Sequence, residues 1–405
     1  MAAARKFDVV IIGAGIAGSA LAVALAGQGL SLALVEAQPL ERKPLPEDAS
    51  LENFDARVSA LTPRSVRLLQ ALGAWDAIAA YRHCPYGHMT VWDADGTGRI
   101  EFDCAEIKAS TLGYIVENRA IVDGLLVAMD AAPGIHRYNP DRLESCQRQD
   151  DGTIELRLES GEVVEAGLLV GADGALSRVR EMLNFKTREW DYGHQALVCT
   201  VQTAQAHQST AWQRFLPSGP LAFLPLPGAE DRHYCSIVWS LTDDRAAEIL
   251  ALDDSAFCAE LSRVFEGNLG GVVGASARFA FPLRQRHAVD YIQPGVALVA
   301  DAAHTIHPLA GQGINLGLQD VAALAEELLA AHARGLEPGQ LEVLARYQRR
   351  RKGDNLLMMG AMDGFKRLFE QEALPLRWLR NAGMRSVARV APLKQRLMRQ
   401  AMGIG

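Results

Sequence analysis

The run Phe7-Asp-Val-Val-Ile-Ile12 is apolar at nearly every position and rich in β-branched residues, the pattern of a strand buried on both faces. Gly13-Ala14-Gly15-Ile16-Ala17-Gly18 follows at once, and then Ser19-Ala-Leu-Ala-Val-Ala-Leu-Ala26, a stretch of helix formers closed by Gly27 and Gly29. Ser31-Leu-Ala-Leu-Val-Glu36 predicts a second strand that ends in an acid. The strand–loop–helix pattern recurs twice. Leu168-Leu-Val-Gly171-Ala-Asp173-Gly174 leads into Ala-Leu-Ser-Arg178-Val-Arg180, and Val296-Ala-Leu-Val-Ala300 ends at Asp301. The loop after Asp301 carries His304, His307, Pro308, Gly311, Gly313, Ile314 and Asn315, and a long Ala/Leu/Glu helix follows. Between the second and third junctions the period changes to two. Cys235, Ile237, Trp239 and Leu241 alternate with Tyr234, Ser236, Val238 and Ser240, as in a strand with one apolar face. Trp190 to Thr203, Trp212 to Leu226 and Ala277 to Leu283 read as further strands, broken by proline- and glycine-rich turns. A mostly antiparallel sheet is expected there.

At the first junction the glycines have distinct physical tasks. Gly13 makes the tight turn, Gly15 lets backbone approach a pyrophosphate, and Gly18 lets the helix pack on the strand. The helix N-terminus presents unpaired N–H groups and a positive dipole end to phosphate. Glu36, 18 residues past Gly18, is placed to accept hydrogen bonds from a ribose hydroxyl. The spacing points to a bound dinucleotide and leaves NAD and FAD open. The Asp173-Gly174 pair also reads as an ordinary β-turn.

Composition narrows the class. A chain of 405 residues argues for two to three domains. With 49% hydrophobic and 22% charged residues, a disordered chain is excluded. A net charge of −7 argues against a general nucleic-acid binder. The six cysteines are scattered without a C-x-x-C pair, which excludes a zinc ribbon or disulfide framework and fits a reducing cytosol. Arg5 and Lys6 before an apolar run to Leu25 imitate a signal peptide. Asp8 interrupts that run, and Gln28 and Ser31 break what would need ~20 apolar residues to span a bilayer, so neither a signal nor a transmembrane helix is expected. From Phe365 onward, nine basic residues face only Glu370 and Glu372, interleaved with apolar positions. That tail reads either as a segment adhering to an anionic membrane surface or as a solvated helix packed on the domain. Six of the ten methionines also fall after residue 357, suited either to core filling or to a pliable surface for an isoprenoid.

The three junctions, in this order, resemble the single-component FAD-dependent aromatic hydroxylases related to p-hydroxybenzoate hydroxylase. In that family the glycine fingerprint binds the ADP half of FAD. A mid-chain Asp-Gly motif lies near pyrophosphate and pyridine nucleotide, and a late G-D-x-x-H-x-x-x-P motif places the ribityl chain and ring. The resemblance implies that Asp301 binds the ribityl chain. It puts Pro308, Gly311, Gly313, Ile314 and Asn315 beside the isoalloxazine, at a helix N-terminus able to stabilise a reduced, anionic flavin. Arg57, in Asp55-Ala-Arg57-Val-Ser-Ala-Leu-Thr62, matches the family arginine near the pyrophosphate. Asn118 or Arg119 matches a polar residue under the flavin loop. Arg57 and Asp173 are the candidates for pyridine-nucleotide contact. Ala300 replaces the glycine usual before the aspartate, which puts a methyl beside the ribityl chain and raises the question of backbone strain. Leu112 to Asn118, Trp190 to Ala196, Ala222 to Leu226, Cys235 to Leu241 and His304 to Gly313 are similar to the ubiquinone-biosynthesis hydroxylases. The branch acting on 2-polyprenylphenol is the most similar, over nearly the whole chain.

This resemblance implies an α/β (α+β) architecture with a discontinuous, Rossmann-like FAD-binding domain over 1–80, 110–185 and 285–363. A substrate domain built on a mostly antiparallel sheet would occupy 81–109 and 186–284, and a basic amphipathic helical segment 364–405. The implied activity is an FAD-dependent monooxygenase that hydroxylates the ring of a polyprenylphenol-type precursor in ubiquinone biosynthesis. Molecular oxygen is the co-substrate, NAD(P)H or another donor the reductant, and a flavin C4a-hydroperoxide the oxygen carrier. The protein's part is to place the ring and exclude water. His307, beside Pro308, is the candidate for relaying the phenolic proton; holding the loop through backbone hydrogen bonds is the alternative for it and for His304. Partners implied are the polyprenylated phenol and other ubiquinone-biosynthesis enzymes, with no nucleic acid and no metal. The expected location is cytoplasmic, with peripheral contact to the inner face of the cytoplasmic membrane if the tail binds lipid. Two other readings share these motifs: an FAD-dependent reductase or dehydrogenase of an isoprenoid or aromatic substrate, and a non-catalytic lipid carrier of the same fold. Retention of all three junctions argues against the carrier.

Overall fold

The computed structural model describes residues 4–228, 233–305, 313–370 and 374–403. Its first sheet is eight-stranded, and the strand Arg5–Ile12 lies inside it. That strand pairs in parallel with Leu32–Val35 on one side and Val163–Gly171 on the other. Val163–Gly171 pairs in parallel with Val296–Leu298 in turn. Val9, Val10 and Ile11 are fully buried, so these consecutive apolar residues are the mark of a strand covered on both faces. The helix Ile16–Leu25 packs against the helices Asn118–Ala131 and Gly313–His332. Because the three strands that precede residues 13, 173 and 301 run parallel and adjacent, their loops leave from one edge of the sheet.

Local chemistry sets the element ends. The first helix starts at Ile16, earlier than Ser19, because Gly15 takes the extended N-cap conformation. The third strand stops at Leu298 and passes into a 3-10 turn over Ala300–Ala302. After the second junction only a short helix forms, Arg178–Met182, capped by Ser177 Oγ, which accepts from Arg180 N at 3.0 Å.

The second sheet has nine strands among the described residues. Thr187–Thr203 pairs antiparallel with both His233–Thr242 and Phe279–Ala288. Gly219–Leu226 and Thr210–Leu216 continue the sheet antiparallel, and Thr210–Leu216 then pairs in parallel with His88–Asp93. The stretch from Trp212 to Leu226 is therefore two strands, broken at Pro217-Ser218. Gly219 has φ +122°, and a Cβ there would meet Ser240 O at 2.5 Å. The two-residue period sorts the faces as expected. Cys235, Ile237, Trp239 and Leu241 are buried with Ala246, Ile249, Phe257 and Leu261 of the helices Asp243–Leu250 and Asp254–Val264. On the other face Ala196, Val198, Val238 and Leu283 pack with Ala56, so the loop before Arg57 lies against this inner face.

The C-terminal part forms the helices Leu341–Glu370, Leu374–Arg389 and Ala391–Ala401. One side of it is packed on the domain. Arg380 makes a two-pronged pair with the buried Asp93, Nε to Oδ2 at 2.7 Å and Nη2 to Oδ1 at 2.8 Å, and Asn381 Nδ2 donates to Asp93 Oδ2 at 2.8 Å. Lys394 Nζ reaches Glu106 Oε1 at 2.6 Å. Met384 packs with Phe215 and Phe369, and Met398 and Met402 with Ile107 and Leu112, so these methionines fill core. The outer side keeps Val390, Leu393 and Leu397 exposed next to exposed Arg389, Arg396 and Arg399. All six cysteines are unpaired, and no described helix is long and apolar enough to cross a membrane.

Candidate cofactor-binding site

At the first junction two glycines are required by the protein itself. Gly13 has φ +97°, and a Cβ there would lie 2.6 Å from Ala172 O and 2.8 Å from Asp173 Cα. A Cβ on Gly18 would lie 1.8 Å from Gly13 O, so this helix packs on the turn rather than directly on the strand. Gly15 is the opposite case: it is exposed, and nothing stands within 4 Å of its Cβ position. Its lack of a side chain leaves the backbone of Ala14 to Ala17 open to an arriving group. The helix that starts there has no side-chain cap and no acid in its first turn, so its positive end is unneutralised. Glu36 closes the neighbouring strand. Its Oε2 accepts from Ala14 N at 2.7 Å and its Oε1 from Gln38 N at 2.9 Å, which leaves each oxygen one further lone pair for a hydroxyl.

The second and third junctions each supply a carboxylate with unused capacity. Asp173 Oδ2 accepts from Val179 N at 3.1 Å, while its Oδ1 is buried and without a partner among the described residues, a costly state for a polar atom. Asp301 is half-buried, and its carboxylate takes no hydrogen bond from a described residue. Burial pushes its pKa above the ordinary carboxylate value, opposed by the electrostatic influence of the nearby His304 and Arg57 side chains. The Arg57 guanidinium is exposed and sits 5.9 Å from the centre of the Phe281 ring. Its main chain is tied down on both sides: Arg57 N donates to Asp55 Oδ1 at 3.0 Å, and Arg57 O accepts from Asn118 N at 3.0 Å.

Asn118 and Arg119 part company. Asn118 Oδ1 accepts from Ser59 Oγ at 2.6 Å, in the strand Val58–Leu61 that follows Arg57. The Arg119 side chain points into a buried cluster, with Glu117 Oε2 at 2.5 Å, Tyr81 Oη at 3.2 Å and the Asn53 carbonyl. Glu117 also pairs with Arg82 at 3.0 Å and accepts from Asp55 N at 2.7 Å. Glu117 and Arg82 thus position the loop that carries Arg57.

The described part of the helix after the third junction begins with Gly313 and Ile314. Asn315 is buried, with Oδ1 accepting from Thr62 N at 2.9 Å and Ser65 Oγ at 2.7 Å, and Nδ2 donating to Ala60 O at 2.8 Å. Its side chain is a clamp, so what this stretch offers a ligand is its backbone. His307, Pro308 and Gly311 lie outside the described residues. His304 is held by a side chain rather than by backbone: its Nε2 lies 2.5 Å from Asp320 Oδ2. Asp320 also accepts from Ala300 N, Arg351 Nε and Asn355 Nδ2. Burial would raise its pKa, but His304 and Arg351 bring it below the ordinary carboxylate value. Sequence reasoning missed Asp320 and Arg351; the available signal was a lone carboxylate on the apolar side of an Ala/Leu helix.

Ala300 answers the question of strain. It has φ +52°, in the left-handed region, and a Cβ on Gly317 would lie 2.7 Å from its methyl. The following helix therefore has to carry glycine where it crosses this residue.

An open helix N-terminus, an acid at the end of the adjacent strand and two under-used carboxylates lie along one sheet edge, an arrangement able to take a dinucleotide. A family model described as "FAD binding domain" matches residues 6–355. The 3-demethoxyubiquinol 3-hydroxylase of Escherichia coli (strain K12) is 40% identical over 397 residues, covering 98% of both chains. Ubiquinone hydroxylase UbiL of Rhodospirillum rubrum is 38% identical over 98% of this chain and 89% of its own. The human mitochondrial ubiquinone biosynthesis monooxygenase COQ6 is 33% identical over 97% of this chain and 92% of its own. The crystal structure of PqsL, a probable FAD-dependent monooxygenase from Pseudomonas aeruginosa, has the same fold, with a TM-score of 0.78 at 24% identity over 94% of this chain and all of that one. The chain belongs to the FAD-dependent monooxygenases, in the branch of the ubiquinone-biosynthesis hydroxylases.

The conformation of Ala300 generates a stability prediction. A left-handed non-glycine residue costs roughly 1–2 kcal/mol, while glycine adds roughly 0.4–1 kcal/mol of unfolded-state entropy. Ala300→Gly should therefore raise the unfolding free energy by up to about 1.5 kcal/mol, read from urea denaturation of the apoprotein. A clear fall would show that the methyl's packing on Gly317 outweighs the strain.

Proposed function

We propose that this monooxygenase hydroxylates the aromatic ring of a polyprenylated phenol on the way to ubiquinone. The observation that carries the reading is 38–40% identity over 98% of the chain with relatives named for ubiquinone hydroxylation, and the inner face of the second sheet supports it. Phe279 and Phe281 remain 47% and 42% exposed there although they lie on the same face as Ala196 and Val198, an apolar surface suited to a ring and its tail. The division of labour would follow the sheets, with 1–80, 110–185 and 285–363 holding FAD and 81–109 and 186–284 holding substrate.

The residues fit FAD. The backbone of Gly13 to Gly18 at the helix start would hold the pyrophosphate, assisted by Arg57, and Glu36 the adenosine ribose. Asp301 would hold the ribityl chain, and the backbone of Gly313 to Asn315 would face the ring. Bound FAD, once reduced by NAD(P)H or another donor, supplies the activated oxygen. The phenol ring is already electron-rich, so the protein needs no nucleophile of its own. Ala56, Ala196, Val198 and Val238 keep the inner face dry, which protects the reaction from loss to water. His304 Nε2 is occupied by Asp320, so any proton passed by His304 would go through Nδ1; His307 remains the other candidate.

The E. coli relative's name specifies demethoxyubiquinol, a ring more oxygenated than 2-polyprenylphenol, so both belong in the test. The FAD-loaded protein is supplied with reductant, ¹⁸O₂ and short-chain versions of each. One ¹⁸O atom in a hydroxylated product of either ring supports the proposal, and the reactive ring identifies the step. Flavin reoxidation without labelled product from both rings would overturn it in favour of a reductase.

The tail supplies a second proposal. Val390, Leu393 and Leu397 with Arg389, Arg396 and Arg399 form an outward basic-apolar face that matches an anionic bilayer, where a prenylated substrate resides. Deleting the tail would strip Arg380 from Asp93, so charge reversal is the cleaner variant. The triple change of Arg389, Arg396 and Arg399 to Glu should weaken binding to phosphatidylglycerol vesicles on the order of 100-fold, at ~1 kcal/mol per base removed. Unchanged binding would remove the membrane contact.

A further inference from the structure

We propose that Asp320 is a positioning residue for the cofactor, fixing the turn over residues 300–304 so that the Asp301 carboxylate is held toward FAD. The inference rests on the assignment of Asp301 to FAD. Asp320 lies two turns into the helix Gly313–His332 and is completely buried. Four nitrogens converge on it. Oδ2 accepts from Ala300 N at 3.1 Å and stands 2.5 Å from His304 Nε2. Oδ1 accepts from Arg351 Nε at 2.9 Å and Asn355 Nδ2 at 3.1 Å. Ala300 and His304 flank Asp301 in the chain; Arg351 and Asn355 come from the helix Leu341–Glu370. One carboxylate thereby ties the turn to two helices.

With four donors bound, Asp320 has no capacity left to act as a base or to bind a ligand. A role in stability alone accounts poorly for it. Buried ion pairs add little net stability, and apolar groups of similar shape often do as well. An apolar group could not hold the amide of Ala300, which adopts a left-handed conformation that a non-glycine residue keeps only when its surroundings impose it. The Asp301 carboxylate has no described hydrogen-bond donor of its own, so the backbone of the turn sets its direction. Asp320 braces that backbone at Ala300 and His304, and Arg180 Nη1 braces it at Ala302 O, at 2.9 Å.

The test is a double-mutant cycle on FAD affinity, read by flavin fluorescence as apoprotein is titrated. Asp320→Asn keeps the volume but replaces one acceptor with a donor. Asp320→Asn and Asp301→Ala should each raise the Kd for FAD at least tenfold, and the double variant should bind within about threefold of Asp301→Ala alone. Losses that multiply in the double variant would overturn the positioning role while leaving Asp301 as a ligand. Unchanged affinity in Asp301→Ala would overturn the Asp301 assignment, and this inference with it. Tyr347→Phe is the control, since it removes an equally buried hydroxyl bonded to Leu298 O at 2.8 Å that makes no described hydrogen bond to residues 300–304. An equal loss of affinity there would make the effect general destabilisation and overturn the inference. If Asp320→Asn does not fold, His304→Gln replaces it in the same cycle with the same expected outcomes.

Discussion

Everything at the cofactor edge depends on how closely the turn after the first strand approaches its neighbours. Gly13 stands where any side chain would strike the Ala172 carbonyl, and Gly18 where any side chain would strike the Gly13 carbonyl. These two contacts seat the first helix on the turn and bring the end of the strand Val163–Gly171 against it. The parallel order of the strands then leaves little freedom. Residues 13, 173 and 301 must meet at one edge, because the strands that deliver them are hydrogen-bonded neighbours running in one direction.

A second theme is the use of buried carboxylates to fix irregular backbone. Glu117 accepts from Asp55 N and pairs with Arg82 and Arg119, which sets the loop of Arg57. Asp320 accepts from Ala300 N and sets the turn of Asp301. Asp93 binds Arg380 and Asn381, which seats the C-terminal helices on the second sheet. In the first two cases an acid compensated by arginine places a segment that has no regular hydrogen-bond ladder, and in the third it docks a helix. Loss of one partner would leave an uncompensated charge in the interior, at a cost of roughly 3–5 kcal/mol. Such acids are therefore strong determinants of local geometry even where their net contribution to stability is small.

How much of this was legible in the sequence follows from the range of each interaction. The three junctions were readable because strand burial, glycine turns and helix starts are local patterns; the period-two run from Tyr234 to Leu241 likewise showed its buried face directly. Glu36, Asp173 and Asp301 could be named because each stands at the end of an apolar run. The partners of the buried acids were not readable. Asp320 meets Arg351 and Asn355 only because two helices cross, and Glu117 meets Arg82 only because the strands Cys84–Tyr86 and Gly113–Glu117 pair antiparallel. The tail shows both outcomes: its charge pattern was plain, but which bases are buried depended on Asp93 and Glu106, far back in the chain. Arg119 and Asn118 were indistinguishable by position, and only the cluster around Glu117 separates them.

The central claim is that three segments distant in sequence form one FAD site at a single sheet edge. Hydrogen exchange of the apoprotein, with and without saturating FAD, tests it most directly. The account predicts that FAD slows exchange together at the amides of residues 14–18, 173–174 and 301–305, with little change across the helices Asp243–Leu250 and Asp254–Val264 behind the second sheet. Protection confined to the first segment, or centred elsewhere, would contradict it.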